Sequence, residues 1–236
     1  MLRLAGYRIN PRNNGPANSR VTWLTGLSFQ PVAGGAARPV ILPDGARFTS
    51  PAWSPDGRAV ALLIDQPTGL ELWVADVASA VPAGRGAAPD VSRPPSGPTV
   101  EESMARAAPV RTYQDLLANA GDEALFDHYF TSQLVHVPLQ GAIRPIGTPG
   151  VILGTSVSPD GRYLLQTVAR RPYSYVVPAA LFPADIVVTD LGGRIVHRVA
   201  SLPLRDDIPS PFDAVATGPR SVQWRADAPA TLAWTE

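Results

Sequence analysis

The densest cluster of chemically capable residues in the sequence is Arg170-Arg171-Pro172-Tyr173-Ser174-Tyr175. An arginine fork matches a carboxylate through two parallel N–H···O bonds, and phenolic rings offer both an apolar face and a hydroxyl. Read this way, Arg171, Tyr173 and Tyr175 form a candidate substrate-binding set for an acidic peptide side chain. The alternative is an edge strand whose Arg heads are solvated. Other reactive residues are dispersed. Carboxylates pair at Glu101-Glu102, Asp122-Glu123 and Asp206-Asp207, a pattern that can do acid–base work or hold a metal. All three pairs fall in polar connections and read as solvated loop charge. His128, His136 and His197 lie far apart with no ligand spacing, and read as surface or partly packed residues. A serine-hydrolase elbow requires Gly-x-Ser-x-Gly at a strand-to-helix turn. The nearest stretch, Gly154-Thr155-Ser156-Val157-Ser158, lacks the second Gly and leads into a hairpin. No Gly-rich phosphate loop occurs. The residues therefore assign no catalytic group, no metal and no cofactor.

The elements that would position the Arg-Tyr cluster are strands. Trp53-Ser54-Pro55-Asp56-Gly57-Arg58 returns as Val157-Ser158-Pro159-Asp160-Gly161-Arg162, and in worn form as Trp224-Arg225-Ala226-Asp227-Ala228-Pro229. Pro presets φ for a type I turn, Asp bonds its own backbone, and Gly accepts the positive φ that lets two strands pair. Apolar runs flank each copy, so each is expected to join two adjacent antiparallel strands. A strand–turn–strand unit recurring over tens of residues marks a repeat architecture, and a four-stranded propeller blade takes roughly 40–50 residues. The expected fold class is all-β: a partial β-propeller of about three to four blades of antiparallel meanders. Trp53, Trp73 and Trp224 are expected to be buried between sheets. Strands are predicted over 133–138, 142–146, 151–157, 163–168, 173–178, 185–190 and 194–200, with a tight hairpin at Gly192-Gly193. Residues 82–110 read as a Pro-rich loop. One helical insertion is expected within 112–130, capped by Asp122.

Composition bounds the partners. The chain has 236 residues, no Cys and a formal net charge of zero, with 45% hydrophobic residues. That is a globular composition, and its neutrality argues against nucleic acid or an anionic membrane surface. All 20 basic residues are Arg, a bias that fits a GC-rich genome better than a binding adaptation. No apolar run is long enough for a membrane span, and the first residues lack the apolar core of a signal peptide. The default compartment on these grounds is the cytoplasm.

Several segments resemble, in order, the glutamyl endopeptidases of the prolyl oligopeptidase superfamily of serine peptidases. These are Leu4-Ala5-Gly6-Tyr7-Arg8-Ile9-Asn10-Pro11, Leu72-Trp73-Val74-Ala75-Asp76, Val110-Arg111-Thr112-Tyr113-Gln114-Asp115-Leu116-Leu117, Arg171-Pro172-Tyr173-Ser174 and Ser221-Val222-Gln223-Trp224-Arg225-Ala226-Asp227. The resemblance implies one incomplete propeller domain over 1–236, capping a C-terminal α/β-hydrolase domain that carries Ser, Asp and His. No part of that catalytic domain is matched here, so the chain alone is expected to be inactive. In such enzymes the propeller gates the active site and helps bind the peptide substrate. The resemblance further implies a missing upstream blade and an internal deletion between Val77 and Val81. An open ring leaves apolar blade faces bare, at about 25 cal/mol per Å², which predicts self-association. The alternative is a self-standing propeller-like scaffold that binds other proteins.

Overall fold

The structure is a computed structural model that describes residues 1–17, 21–49, 51–54, 56–67, 69–76, 80–83, 113–138, 141–206 and 217–236. The chain divides into two compact units, Met1–Leu2 with Arg8–Arg93, and Arg3–Tyr7 with Pro94–Glu236. The first strand, β1 (Leu2–Leu4), lies at this division, and β2 (Tyr7–Asn10) follows it. Among the described residues the architecture is all-β with one α-helix.

In the first unit, β2 turns back on β3 (Gly15–Pro16), with Ile9 opposite Pro16. The short pair β4 (Ser28–Phe29) and β5 (Arg38–Pro39) follows. The main sheet is an antiparallel meander of β6 (Ala52–Trp53), β7 (Ala59–Gln66), β8 (Gly69–Asp76) and β9 (Ala80–Ala83). Its core comes from period-2 patterning. Val60, Leu62 and Ile64 fall on one face of β7 and are buried together with Phe48 and Ala46. Leu27, Phe29, Leu42 and Trp73 pack around them. Trp73 stands opposite Leu62 and donates its indole N–H to Glu71 Oε2 at 3.1 Å.

In the second unit, α1 (Ala120–Phe130) runs directly into β10 (Thr131–His136). A five-stranded antiparallel meander follows in chain order: β10, β11 (Arg144–Val157), β12 (Tyr163–Ala169), β13 (Ala184–Asp190) and β14 (Ile195–Leu202). The central strands bury both faces. Leu165, Ile186 and Val188 join Leu202 on one side, against Val222, Trp224 and Leu232. On the other, the buried Gln166 satisfies its amide by donating to Thr189 Oγ1 at 2.7 Å. The chain closes on the antiparallel pair β15 (Arg220–Trp224) and β16 (Leu232–Thr235).

All three turn copies join adjacent antiparallel strands, as their composition predicts. The two full copies share a set of bonds, to which the first adds Arg58 N–H donating to Ser54 Oγ at 3.1 Å. Ser54 Oγ lies 2.6 Å from Asp56 Oδ1 and accepts from the Ala59 N–H at 3.0 Å; Ser158 Oγ lies 2.6 Å from Asp160 Oδ1 and accepts from the Tyr163 N–H at 3.0 Å. Gly57 and Gly161 take φ of 67° and 71°, a region costly for any side chain bearing a Cβ. Pro55 itself lies outside the described residues. The second and third turns also touch, through Asp160 N–H to Pro229 O at 3.0 Å.

Four expectations are corrected. Trp53 is 58% exposed rather than buried, because its strand is two residues long and its ring rests edge-on against Phe29 alone among the ring contacts described. Trp73 and Trp224 are partly buried. The strands expected at 142–146 and 151–157 are one 14-residue strand, in which Gly147, at φ 66°, bends the chain without ending it. No strand forms at 173–178; that segment is an irregular loop leading to a 3-10 turn at Ala179–Leu181. The helix is capped by Asn119, not Asp122. Of the loop expected over 82–110, Pro82 and Ala83 are described and end β9; the rest lies outside the described residues, as does Thr112.

Candidate functional site

The site starts with the start of a helix. Asn119 Oδ1 accepts the Asp122 N–H at 3.1 Å, and Asp122 Oδ2 accepts the Ala118 N–H at 2.8 Å, so the cap satisfies the third helical residue's amide and that residue's carboxylate satisfies the amide just before the cap. Acidic side chains in this first turn also suit the positive end of the helix dipole. From that start, Glu123 and Asp127 fall four residues apart on one face. Phe126 and Phe130 fall four apart on another and stack at 4.6 Å.

The aromatic face anchors the helix. Phe126 is fully buried, meeting Tyr173 edge-on at 5.1 Å and Phe182 edge-on at 5.8 Å. Tyr173 stacks on Phe182 at 5.1 Å. The loop carrying these rings is itself held by the N-terminal segment. Ala179 N–H donates to Ala5 O at 2.9 Å, and a Cβ on Gly6 would stand 2.8 Å from Pro178 Cβ, so that position needs glycine.

The acidic face of α1 meets the Arg-Tyr loop. Arg171 Nη1 bonds Glu123 Oε2, and Arg171 Nη2 bonds Asp127 Oδ2 at 2.6 Å. Tyr173 donates its hydroxyl to Asp127 Oδ1, and Tyr175 donates to Glu123 Oε1 at 2.9 Å. Every carboxylate oxygen of the pair thus has a donor. The guanidinium also lies 4.7 Å above the Tyr173 ring. Burial first, and then the bond to Asp127, push the Tyr173 hydroxyl well above the usual phenol range. The bond to Glu123 raises Tyr175. The hydrogen bonds to Asp127 and Glu123 raise Arg171 above its ordinary value and keep it charged.

The structure therefore brings Arg171, Tyr173 and Tyr175 together as a carboxylate-holding set. The carboxylates that they hold belong to this chain. Glu123 is in a helix and paired, which corrects its reading as solvated loop charge. Asp127 was not singled out from the sequence; its spacing of four from Glu123 within a predicted helix was the available signal. Arg170 points elsewhere: its Nε contacts Asp185 Oδ1 at 3.0 Å, and Arg198 takes the other oxygen at 2.6 Å. His136 and His197 are exposed, and His128 sits in the last turn of α1. Among the described residues no group of three His, Cys, Asp or Glu side chains is placed to hold a metal ion. Asp207, Glu101 and Glu102 lie outside the described residues. A concavity of about 500 Å³ lies against β14 and the β15–β16 pair, away from this cluster, lined by residues that include Tyr163, Val188, His197, Trp224 and Trp234.

No family model matches the chain. It is 34% identical over 278 aligned residues to a protein of Oryza sativa subsp. japonica named "Probable glutamyl endopeptidase, chloroplastic", covering 99% of this chain and 29% of that protein. It is 34% identical over 277 residues to the Arabidopsis thaliana protein of the same name, covering 99% of this chain and 28% of that one. The chain is a relative of the glutamyl endopeptidases. The resemblance read from its segments is borne out along nearly its whole length. It spans less than a third of each of these relatives. The alignment is longer than the 236-residue chain, so the rice glutamyl endopeptidase carries insertions relative to it. No described helix is long and apolar enough to cross a membrane.

Proposed function

We propose that this chain is a non-catalytic, peptide-handling β-propeller portion of a glutamyl-endopeptidase-like serine peptidase, with peptide-bond cleavage performed by a hydrolase domain outside the 236 residues. The observation that carries this reading is the similarity over 99% of the chain to under a third of two glutamyl endopeptidases. Two features support the propeller part. Both large sheets are antiparallel meanders in chain order, and the Ser-Pro-Asp-Gly turn is built twice around a shared set of bonds. Peptide handling is assigned to Arg171, Tyr173 and Tyr175. Their donors converge on carboxylates in the folded chain, which is the geometry an acidic peptide side chain would need.

Two measurements test the reading. The purified chain should not be labelled by a fluorophosphonate serine probe; labelling would place a catalytic serine within these residues. In a peptidase assembled from this portion and its hydrolase domain, Arg171→Ala should raise KM for Glu-containing peptides more than for their Gln counterparts. Equal effects on both would remove the recognition role.

A further inference from the structure

We propose that Glu123 is a built-in competitor: its side chain occupies the position of a peptide glutamate, and an acidic peptide engages Arg171 and Tyr175 only by displacing it. This deepens the peptide-handling reading above and rests on it. The geometry is that of a bound ligand. One Glu123 oxygen takes the guanidinium of Arg171 and the other takes the Tyr175 hydroxyl at 2.9 Å. The Glu123 side chain is only 17% exposed, although the Arg171 side chain is 51% exposed and Tyr175 is 44% exposed. The carboxylate is thus enclosed by partners that themselves reach solvent, where an incoming acid can meet them.

The two halves of the cluster differ in how readily they can exchange. Asp127 has a short side chain, and its phenol partner Tyr173 is wedged against Phe126 and Phe182. Releasing Asp127 would leave the hydroxyl of a packed ring without its acceptor. Glu123 has a side chain one methylene longer, near the start of α1, and both of its partners lie at the surface. It can swing out by rotamer change while Asp127 and the aromatic stack keep the helix docked. An incoming carboxylate then inherits the same two donors. Removing the internal competitor raises the fraction of binding-competent molecules, and apparent affinity rises by that factor.

The test is fluorescence anisotropy on the full 236-residue chain, with a labelled Ala-Ala-Glu-Ala-Ala peptide and its Gln counterpart as probes. Glu123→Gln keeps the side chain's length and removes its charge. It should tighten binding of the Glu peptide at least threefold, on the order of tenfold, and leave the Gln peptide unchanged. Arg171→Ala should cancel the gain. Glu123→Asp, which draws the carboxylate back from Tyr175, should give a smaller gain in the same direction and serves if the first variant is unstable in thermal melts. If Arg171→Ala weakens Glu-peptide binding while both Glu123 variants bind no more tightly than wild type, the competitor role is overturned and acid recognition stands. If no variant distinguishes the Glu from the Gln peptide, acid recognition fails and the competitor role with it.

Discussion

Arg47 and Arg171 both clasp carboxylates, under opposite conditions. In the first unit, Arg47 Nη2 lies 2.6 Å from Asp65 Oδ2, whose side chain is 2% exposed. Asn13 Nδ2 donates to the other Asp65 oxygen at 2.5 Å and to Gln66 O at 2.9 Å, while Arg47 lies over the Trp23 ring at 4.9 Å. In the second unit, one half-exposed guanidinium faces two carboxylates. A buried charge with fixed partners is costly to leave unpaired, whereas an exposed pair is screened by water and contributes little. The first network suits holding the Asn13 turn to the end of β7. The second suits exchange.

If that contrast is right, Asp65→Ala should be among the most damaging single changes. It removes one acceptor of the Asn13 amide and leaves the Arg47 charge without its carboxylate, and should cost about 3–5 kcal/mol in urea unfolding. A loss below about 1 kcal/mol would make the two networks equivalent. Phe126→Ala should cost a similar amount, about 3–5 kcal/mol, because it empties the aromatic anchor of α1. By comparison Arg171→Ala should cost about 1 kcal/mol or less, since the guanidinium is half exposed. A larger loss would mean that the arginine, rather than the rings, docks the helix.

The repeated turn offers a finer comparison. Ser54→Ala and Ser158→Ala both remove the bonds to the turn Asp and to the amide five residues on. Ser54→Ala also removes the one from Arg58 N–H at 3.1 Å, and each variant should cost about 1 kcal/mol. A marked inequality would show that context outside the turn sets its worth. The smallest effects come from protons. Asp56 and Asp160 are held below their ordinary value of 3.8, chiefly by the Ser54 and Ser158 hydroxyls respectively. Their stabilisation is complete above that value and is lost as pH falls through the lowered folded values, so each Ser→Ala variant should narrow its stability gap to wild type below about pH 3.8. For Tyr173 and Tyr175 the sign reverses. Their folded values are raised, so their contribution is present below the ordinary 10.0 and lost as pH rises through the higher values. Phenolate absorbance should show both ionising later than in the unfolded chain.

The all-β class, the three hairpin turns, β7, β8 and the existence of one helix are legible in the sequence, because each depends on neighbours within a few residues. Alternation places Val60, Leu62 and Ile64 on one face, and Ser-Pro-Asp-Gly closes a turn with its own side chains. The acid-holding chemistry of Arg171, Tyr173 and Tyr175 is legible too, from residue type. Its partners are not. Glu123 lies 48 residues from Arg171 in sequence and Asp127 lies 44, and no local pattern states that α1 will dock on that loop. That pairing follows from the burial of Phe126 against Tyr173 and Phe182. The same packing keeps 173–178 out of a strand, since a loop anchored at Ala5 and Ala179 can turn its rings inward where a pleated strand would alternate them. Local chemistry determined which groups could hold a carboxylate; tertiary packing decided whose carboxylate they hold.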